Sequence, residues 1–415
     1  MLDHTAQRIF ATIPEKDFEK CDGNFTLHSK WGVDGASGQN EFQQKFLQDN
    51  SKFSDSNLFM TSMVPIQINM KNSQNEIFWK NSTPSSTQYC RVLHFQLRRE
   101  TTELIQEETE RVKQEIKELL PTKIVIGTKT FCIFHEMHFT MLDGKVAQAV
   151  TETSSSMTCF ICGAKPSEMN DLAHVCTKPV NENALKLGMS PLHARIKLME
   201  YVLHIAYNMD FQQWKKNKDT KDIQEATKAR IQKDFYDKLG LKIDMVKQGS
   251  GNTNTGNVSR RFFADPALTA SITKVDQNLI TRLAVILELI SCNYAIDAEK
   301  FGKYAKDTAD IAVALYRWYN LPPTVHKILI HGKEIIECAV LPIGALSEEA
   351  QESRNKDYKN FRMNHGRKCS RLATNQDIMN QFLVSSDPYI TFLRPTAKAK
   401  YLPVSDAAAE MILTA

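Results

Sequence analysis

Two half-sites that can meet only in three dimensions constrain this chain more than any other feature. Cys159-Phe-Ile-Cys162 has the two-residue spacing with which a tight turn offers two thiolates to one zinc ion, and Gly163 follows it. His326 and His331 are separated by four residues, within the range of zinc-binding histidine pairs. Neither decides alone. Two thiols on a strand give the same Cys-x-x-Cys, and an isolated histidine pair is more often chance than a site. Together they supply a Cys2His2 tetrahedron for one structural Zn2+. More than 160 residues separate the halves, which excludes a small finger. Bound zinc would close a long loop and position the helix carrying Glu352 relative to the strand carrying Asp143. His174 and Cys176 compete for a ligand position, but they lie in a polar loop without a matching pair.

The 415 residues hold nine cysteines, an odd number, and the first thirty residues show no basic segment followed by an apolar one. No secretory leader is expected, and reduced thiols with metal ligation are favoured over a disulfide framework. No run of about eighteen apolar residues is present, so no membrane span is expected.

Three acids stand in well-defined local settings. Asp34 ends the extended run FTLHSKWGVDG, Asp143 ends TFCIFHEMHFTMLDG, and Glu352 lies in the helical stretch SEEAQESRNKDYKNF. Carboxylates delivered from two strand ends and one helix suit a two-metal phosphoryl-transfer site, because Mg2+ wants oxygen ligands and keeps positions open for phosphate and water. Among 48 acids, three prove nothing by themselves; an arbitrary one is a solvated surface group. Glu348 and Glu349 rival Glu352 on the same helix, and Asp22 mimics the Asp34 setting but precedes its strand.

Patterning places strands at 25–33, 57–69 and 91–99, a helix at 101–119 capped by Thr101 or Thr102 and stopped by Pro121, and strand-like sequence over 122–142. Residues 1–24 are polar without strong periodicity and read as an N-terminal extension. Residues 40–55 read as a short helix and loop, and 70–88 as a loop. Three strands, a helix and a further strand, with acids on the first and last strands, give the order of an RNase-H-like sheet. The expected fold is therefore mixed α+β or α/β: an RNase-H-like core over 25–143, interrupted by a large helical zinc-binding insertion over 144–340. A catalytic helix with Glu352 over 341–380 and a C-terminal tail over 381–415, loosely packed from about 387, follow.

Net charge is only +4, so contact with nucleic acid must come from local clusters. Arg354, Lys356, Lys359, Arg362, Arg367, Lys368 and Arg371 make the segment around Glu352 basic. Such a run is usually a solvated face; beside a metal site it points to phosphate contacts, with Arg354, Lys356 and Arg362 the nearest. The loop Gly249–Asn257, followed by Arg260 and Arg261, allows close backbone approach to phosphates, and a flexible interhelical loop reads equally well.

The chain resembles the Transib transposases and the related catalytic subunit of the V(D)J recombinase. The matching segments are WGVDGASGQ (31–39), MLDGKV (141–146), SSMTCFICGA (155–164), GSGNTNTGNVSRRFF (249–263), NYAIDAEKFGKY (293–304), WYNLPPTVHKILIHG (318–332) and SEEAQESRNKDYKNFR (347–362). The resemblance implies a DDE recombinase that nicks DNA, forms hairpins and transfers strands at transposon ends. It assigns two Mg2+ (or Mn2+) to Asp34, Asp143 and Glu352, and one Zn2+ to Cys159, Cys162, His326 and His331. It implies DNA contacts at Asn257, Arg260 and Arg261, a homodimer acting on double-stranded terminal-repeat and target DNA, and a nuclear location. Family members carry a DNA-binding part ahead of this core. Here Met1 stands close to the first strand, and no folded unit is expected before it. The alternative is a catalytically inactive, transposase-derived DNA-binding or architectural protein.

Overall fold

A computed structural model describes the chain except for residues 20, 22, 39–42, 45, 47–51, 72–75, 215–217, 219, 248–250, 396–403 and 414–415. Asp22, Gly249 and most of the helix and loop expected over 40–55 lie outside the described residues. The chain is mixed α/β and forms two compact units, Met1–Val150 with Ala345–Tyr401 and Thr151–Gly344 with Leu402–Ala415. No helix among the described residues is long and apolar enough to cross a membrane.

The first unit is built on a six-stranded mixed sheet of β1 (Asn24–Ser37), β2 (Asn57–Met70), β3 (Ile77–Lys80), β4 (Arg91–Gln96), β5 (Thr122–Ile126) and β6 (Lys129–Met141). Its order is β3-β2-β1-β6-β5, with β4 also paired to β2. β1 runs antiparallel to β2 and parallel to β6, and β5 and β6 pair antiparallel. A parallel neighbour requires a crossover. Here β2, β3, β4, β5 and the helix α2 (Thr102–Lys117) fill it. Thr101 caps α2 by accepting from the Leu104 N–H at 3.2 Å, and Leu104, Ile105 and Val112 are buried.

The two faces of β1 differ in kind. Phe25 and Leu27 join Ile68, Phe131 and Ile133 in an apolar layer. It is closed by Ile9 and Phe10 of the first helix, α1 (Leu2–Phe10), and by Phe18. The opposite face carries His28, Lys30, Gly32 and Asp34. Residues 1–24 read as polar because the apolar side of so short a helix amounts to Ala6, Ile9 and Phe10. Likewise β3 is only four residues long, which is why 70–88 reads as a loop.

After Asp143 comes α3 (Gly144–Val150) and then the second unit. That unit is helical: α4 (Leu172–Val175), α5 (Glu182–Leu185), α6 (Pro191–Asn208), α7 (Lys221–Leu239), α8 (Gly256–Phe263), α9 (Pro266–Thr273), α10 (Gln277–Ser291), α11 (Ala298–Leu315) and α12 (Pro323–Cys338). Its core includes Leu198, Val202, Phe262, Ile286, Phe301 and Ile328, all fully buried. The chain then returns to the first unit with α13 (Glu349–Asn364), α14 (Arg371–Ser385) and α15 (Pro388–Leu393). Tyr358, Ile378 and Phe382 pack there with Leu58, Met60 and Val92 of the sheet.

The loosely packed tail is corrected over its described residues, 387–395 and 404–413. Asp387 caps α15 and pairs with Arg8 of α1 at 2.9 Å. Beyond it, α16 (Asp406–Ala409) leads to Met411, which is buried and accepts from the Asp297 N–H at 2.8 Å. A few well-placed backbone bonds hold this segment, and small residues do not announce them.

Where β1 meets β6, the register slips between Trp31 and Gly32. A Cβ on Gly32 would lie 1.6 Å from the Met141 carbonyl oxygen, so only glycine lets the strands approach. Gly32→Ala is expected to cost about 3 kcal/mol in chemical denaturation, the upper range for forcing atoms into a packed interior. A loss below about 1 kcal/mol would show that the strands can part there cheaply.

Candidate functional site

In the second unit, the Cys159–Cys162 turn and α12 bring four ligands together. One ligand atom from each of Cys159, Cys162, His326 and His331 lies within 4.8 Å of the others, and all four residues are buried. The turn closes through Gly163 N–H to the Cys159 carbonyl (2.8 Å) and Cys159 N–H to the Ala164 carbonyl (2.9 Å). Gly163 has φ +71°, a conformation glycine adopts without strain. His326 Nε2 stands 3.4 Å from Cys162 Sγ. The hydrogen bond from Cys162, with those of His326 and His331, draws the Cys159 thiol far below its usual range, and the same bond keeps the proton on Cys162. His331 Nε2 is buried without a hydrogen-bond partner, and a metal ion would satisfy a ligand atom of this kind. His326 Nδ1 is also buried without one, but it is the other ring nitrogen, Nε2, that faces the thiols. The cluster can hold a metal such as zinc. His174 is exposed beside Glu168 and stands outside it.

In the first unit, Asp34 lies near the end of β1, opposite Met60 of β2. Asp143 follows β6 and caps α3, its Oδ1 accepting from the Val146 N–H at 2.8 Å. Glu352 sits in the first turn of α13. One turn on, Asn355 donates from Nδ2 to Asp34 Oδ2 at 2.6 Å, tying α13 to β1. Sequence reasoning missed a fourth acid, Glu100, which lies between β4 and α2. A Cβ on Gly35 would fall 2.5 Å from Glu100 Cβ, so the carboxylate side chain occupies the space this glycine vacates. Lys145 donates to Glu100 Oε2 at 2.7 Å, while Glu100 Oε1 is buried without a partner.

Electrostatics registers the convergence. Burial, then the charges of Asp143, Glu100 and Glu352, hold the Asp34 carboxyl well above the usual range, and the Asn355 hydrogen bond offsets this only in part. Glu100 is raised as well, first by burial and then by Asp143, against its bond from Lys145. These acids are not drawn as tightly together as the Cys/His set. Among the described residues, only two groups bring three or more ligand atoms within 4.8 Å of one another, and the four carboxylates are not one of them. Like charges in a poorly solvated site repel, and a divalent cation removes that cost.

The basic run around Glu352 behaves differently from expectation. Arg354 is 1% exposed. It donates to the Cys90 carbonyl (2.9 Å), Asp357 (2.8 Å), Ser385 Oγ (2.9 Å) and the Thr87 carbonyl. Arg362 is 3% exposed and paired with Asp55. Both are spent on fixing α13 to segments that precede β2 and β4, which corrects the expectation that they meet phosphates. Lys356 is exposed on the same helix. On α8, Asn257, Arg260 and Arg261 are exposed, with Arg260 donating to Asn257 Oδ1 at 2.9 Å. Glu348 is 5% exposed, and Glu349 lies beside Ser347 in the same turn.

Burial alone would raise the Asp55 carboxyl. Bonds from Arg371, the Gln44 N–H and Arg362 instead pull it down to about 2 from 3.8. A depressed carboxylate stabilises the fold fully above its unfolded value and loses that contribution as pH falls through the folded one. The stability gap between wild type and Asp55→Asn is therefore expected to narrow by about 2 kcal/mol between pH 5 and pH 2. Urea midpoints measured across that range check this, and a constant gap contradicts it.

For the metal centre, Cys159→Ser is expected to lose one equivalent of zinc and several degrees of Tm. Undiminished zinc and an unchanged melt would remove the assignment. Neither a protein-family model nor a curated protein matches the chain, so the chemistry of these two clusters carries the functional argument.

Proposed function

We propose that the chain is a DDE-type DNA transposase or recombinase of the Transib kind, with an RNase-H-like first unit and a zinc-binding helical insertion as the second. One observation carries the reading: the buried Asp34 carboxyl on β1 feels the charges of Asp143 after β6, Glu100 before α2 and Glu352 on α13. The sheet supports the fold assignment, since an antiparallel β1–β2–β3 meander with β6 parallel to β1 is the arrangement an RNase-H-like core requires.

Asp34, Asp143 and Glu352 would hold two Mg2+ or Mn2+ ions. Bound there, the ions supply Lewis-acid charge for an attacking water or 3′-hydroxyl and for the leaving 3′-oxygen of an in-line displacement. The remaining work falls to the chain. Asn355 orients the Asp34 carboxylate, and Lys145 restrains Glu100. Exposed Lys356, and Asn257, Arg260 and Arg261 on α8, offer charge and hydrogen bonds to DNA phosphates. Each step forms one P–O bond and breaks another, the leaving oxygen taking up a proton, and no covalent protein–DNA link is needed. A nick frees a hydroxyl, whose attack on the opposite strand gives a hairpin, and attack on target DNA gives strand transfer. Coupled action at two transposon ends implies a homodimer working in the nucleus.

Asp34→Asn and Glu352→Gln are each expected to lower metal-dependent nicking by about a thousandfold, several kcal/mol of lost charge stabilisation, while leaving DNA binding intact. Asn355→Ala, a positioning change, is expected to cost about 10–100-fold. Because the Asp34 carboxyl holds its proton to higher pH, metal must displace that proton, so the Mg2+ requirement should ease as pH rises. A wild-type chain that binds DNA without cutting it would mark the inactive, architectural alternative. Equal cleavage by wild type and both carboxylate variants would end the reading.

A further inference from the structure

The polar face of β1 carries a second cluster outside the acids. His28 of β1 stands opposite Glu136 of β6 in the parallel register, and His138 is two residues further along β6. His28 Nδ1 lies 3.3 Å from His138 Nε2 and 3.2 Å from Glu136 Oε2. The two imidazole planes are 9° from parallel with centroids 5.6 Å apart, so the rings meet edge to edge through these nitrogens. One ligand atom from each of the three residues lies within 4.8 Å of the others, the second such group among the described residues.

Hydrogen bonding satisfies this arrangement poorly. If Nδ1 of His28 bears a proton, that proton is divided between the Glu136 oxygen and the His138 lone pair. If it does not, its lone pair faces the carboxylate. The spacing suits a metal instead. Two ligands about 2.0–2.1 Å from a tetrahedral zinc stand about 3.3 Å apart.

We propose that His28 Nδ1, His138 Nε2 and Glu136 Oε2 form a second transition-metal site, of the two-histidine, one-carboxylate type suited to Zn2+ or Co2+. Three protein ligands leave a position for water or an external ligand. The side chain of Glu136 is 54% exposed, which gives the ion a route in, whereas His28 is 5% exposed and anchors the site in the sheet. The site is independent of the Cys/His centre and of any nuclease activity.

The test is Zn2+ and Co2+ binding by the full chain carrying Asp34→Asn and Glu352→Gln, so that the acid cluster does not compete. Bound metal is counted after dialysis, and Co2+ is followed by its visible absorption. Two equivalents are expected. His138→Gln and Glu136→Gln should each remove the weaker one, with at least a tenfold loss of affinity, while the thiolate-bound equivalent remains. Glu136→Gln alters a half-exposed side chain, so it tests the ligand without threatening the fold. One equivalent in the starting chain, or a second that survives both substitutions, overturns the proposal and leaves a proton-sharing cluster.

Discussion

Directed hydrogen bonds, added to the packing of Tyr358, fasten α13 within the first unit, and the acid cluster depends on that attachment. Gln351, Arg354, Asn355, Tyr358 and Arg362 recur at three- and four-residue intervals, the spacing of a buried stripe, yet four of the five are polar. Gln351 donates to the Met60 carbonyl on β2 at 3.1 Å, and Arg354 spans to the carbonyls of Cys90 and Thr87. Asn355 reaches Asp34, and Arg362 reaches Asp55. A buried guanidinium without partners is strongly destabilising, so each of these bonds also fixes where the helix can sit. Apolar packing tolerates a slide of an ångström; a set of directed bonds to particular carbonyls does not. That precision sets where Glu352 stands relative to Asp34.

The segment leading into α13 is held by the same means. Lys30 is fully buried and donates to the carbonyls of Ala345 (2.8 Å) and Ser347 (2.6 Å), while Thr140 donates to that of Leu346 at 3.1 Å. Burial pulls the Lys30 ammonium down to about 7, against the nearby Cys90, Glu348 and Glu349. Neighbouring residues of β1 thus do different jobs: Lys30 sets the entry to the helix, Gly32 lets β6 approach, and Asp34 presents a carboxylate.

Much of this could be read from residue order. The strand runs carrying Asp34 and leading to Asp143, the Thr101-capped helix and the Cys-x-x-Cys-Gly turn are local patterns with local causes, and the structure contains each, although β1 continues past Asp34 to Ser37. The gathering of Cys159, Cys162, His326 and His331 followed from ligand chemistry, which prescribes the number and type of donors. Glu100 was out of reach because no local pattern marks it; its role comes from the space left by Gly35, and that is a tertiary fact. Arg354 and Arg362 misled for a related reason. Charge in a sequence looks the same whether it faces solvent or is spent inside, and only partners such as Asp55 and the Cys90 carbonyl separate the two. Similarly, α1 and β3 are too short for periodicity to rise above noise.

A strand with one apolar face and one buried polar face is costly to assemble, because every polar group withdrawn from water must find a partner. β1 meets that demand at Lys30 with backbone carbonyls and at Asp34 with Asn355, but not completely at either end. At Asp34 an excess of negative charge remains, and at His28 a shortage of protons. Both deficits have the same physical remedy, a cation with several open coordination positions, although the donors differ: oxygen-rich and hard at one end, imidazole-rich at the other. Under the proposals made above, ligand softness would sort the metals, Mg2+ or Mn2+ to the carboxylates and a borderline ion such as Zn2+ to the histidines. The polar face of a single strand would thus address two kinds of ion through spacing and donor type alone.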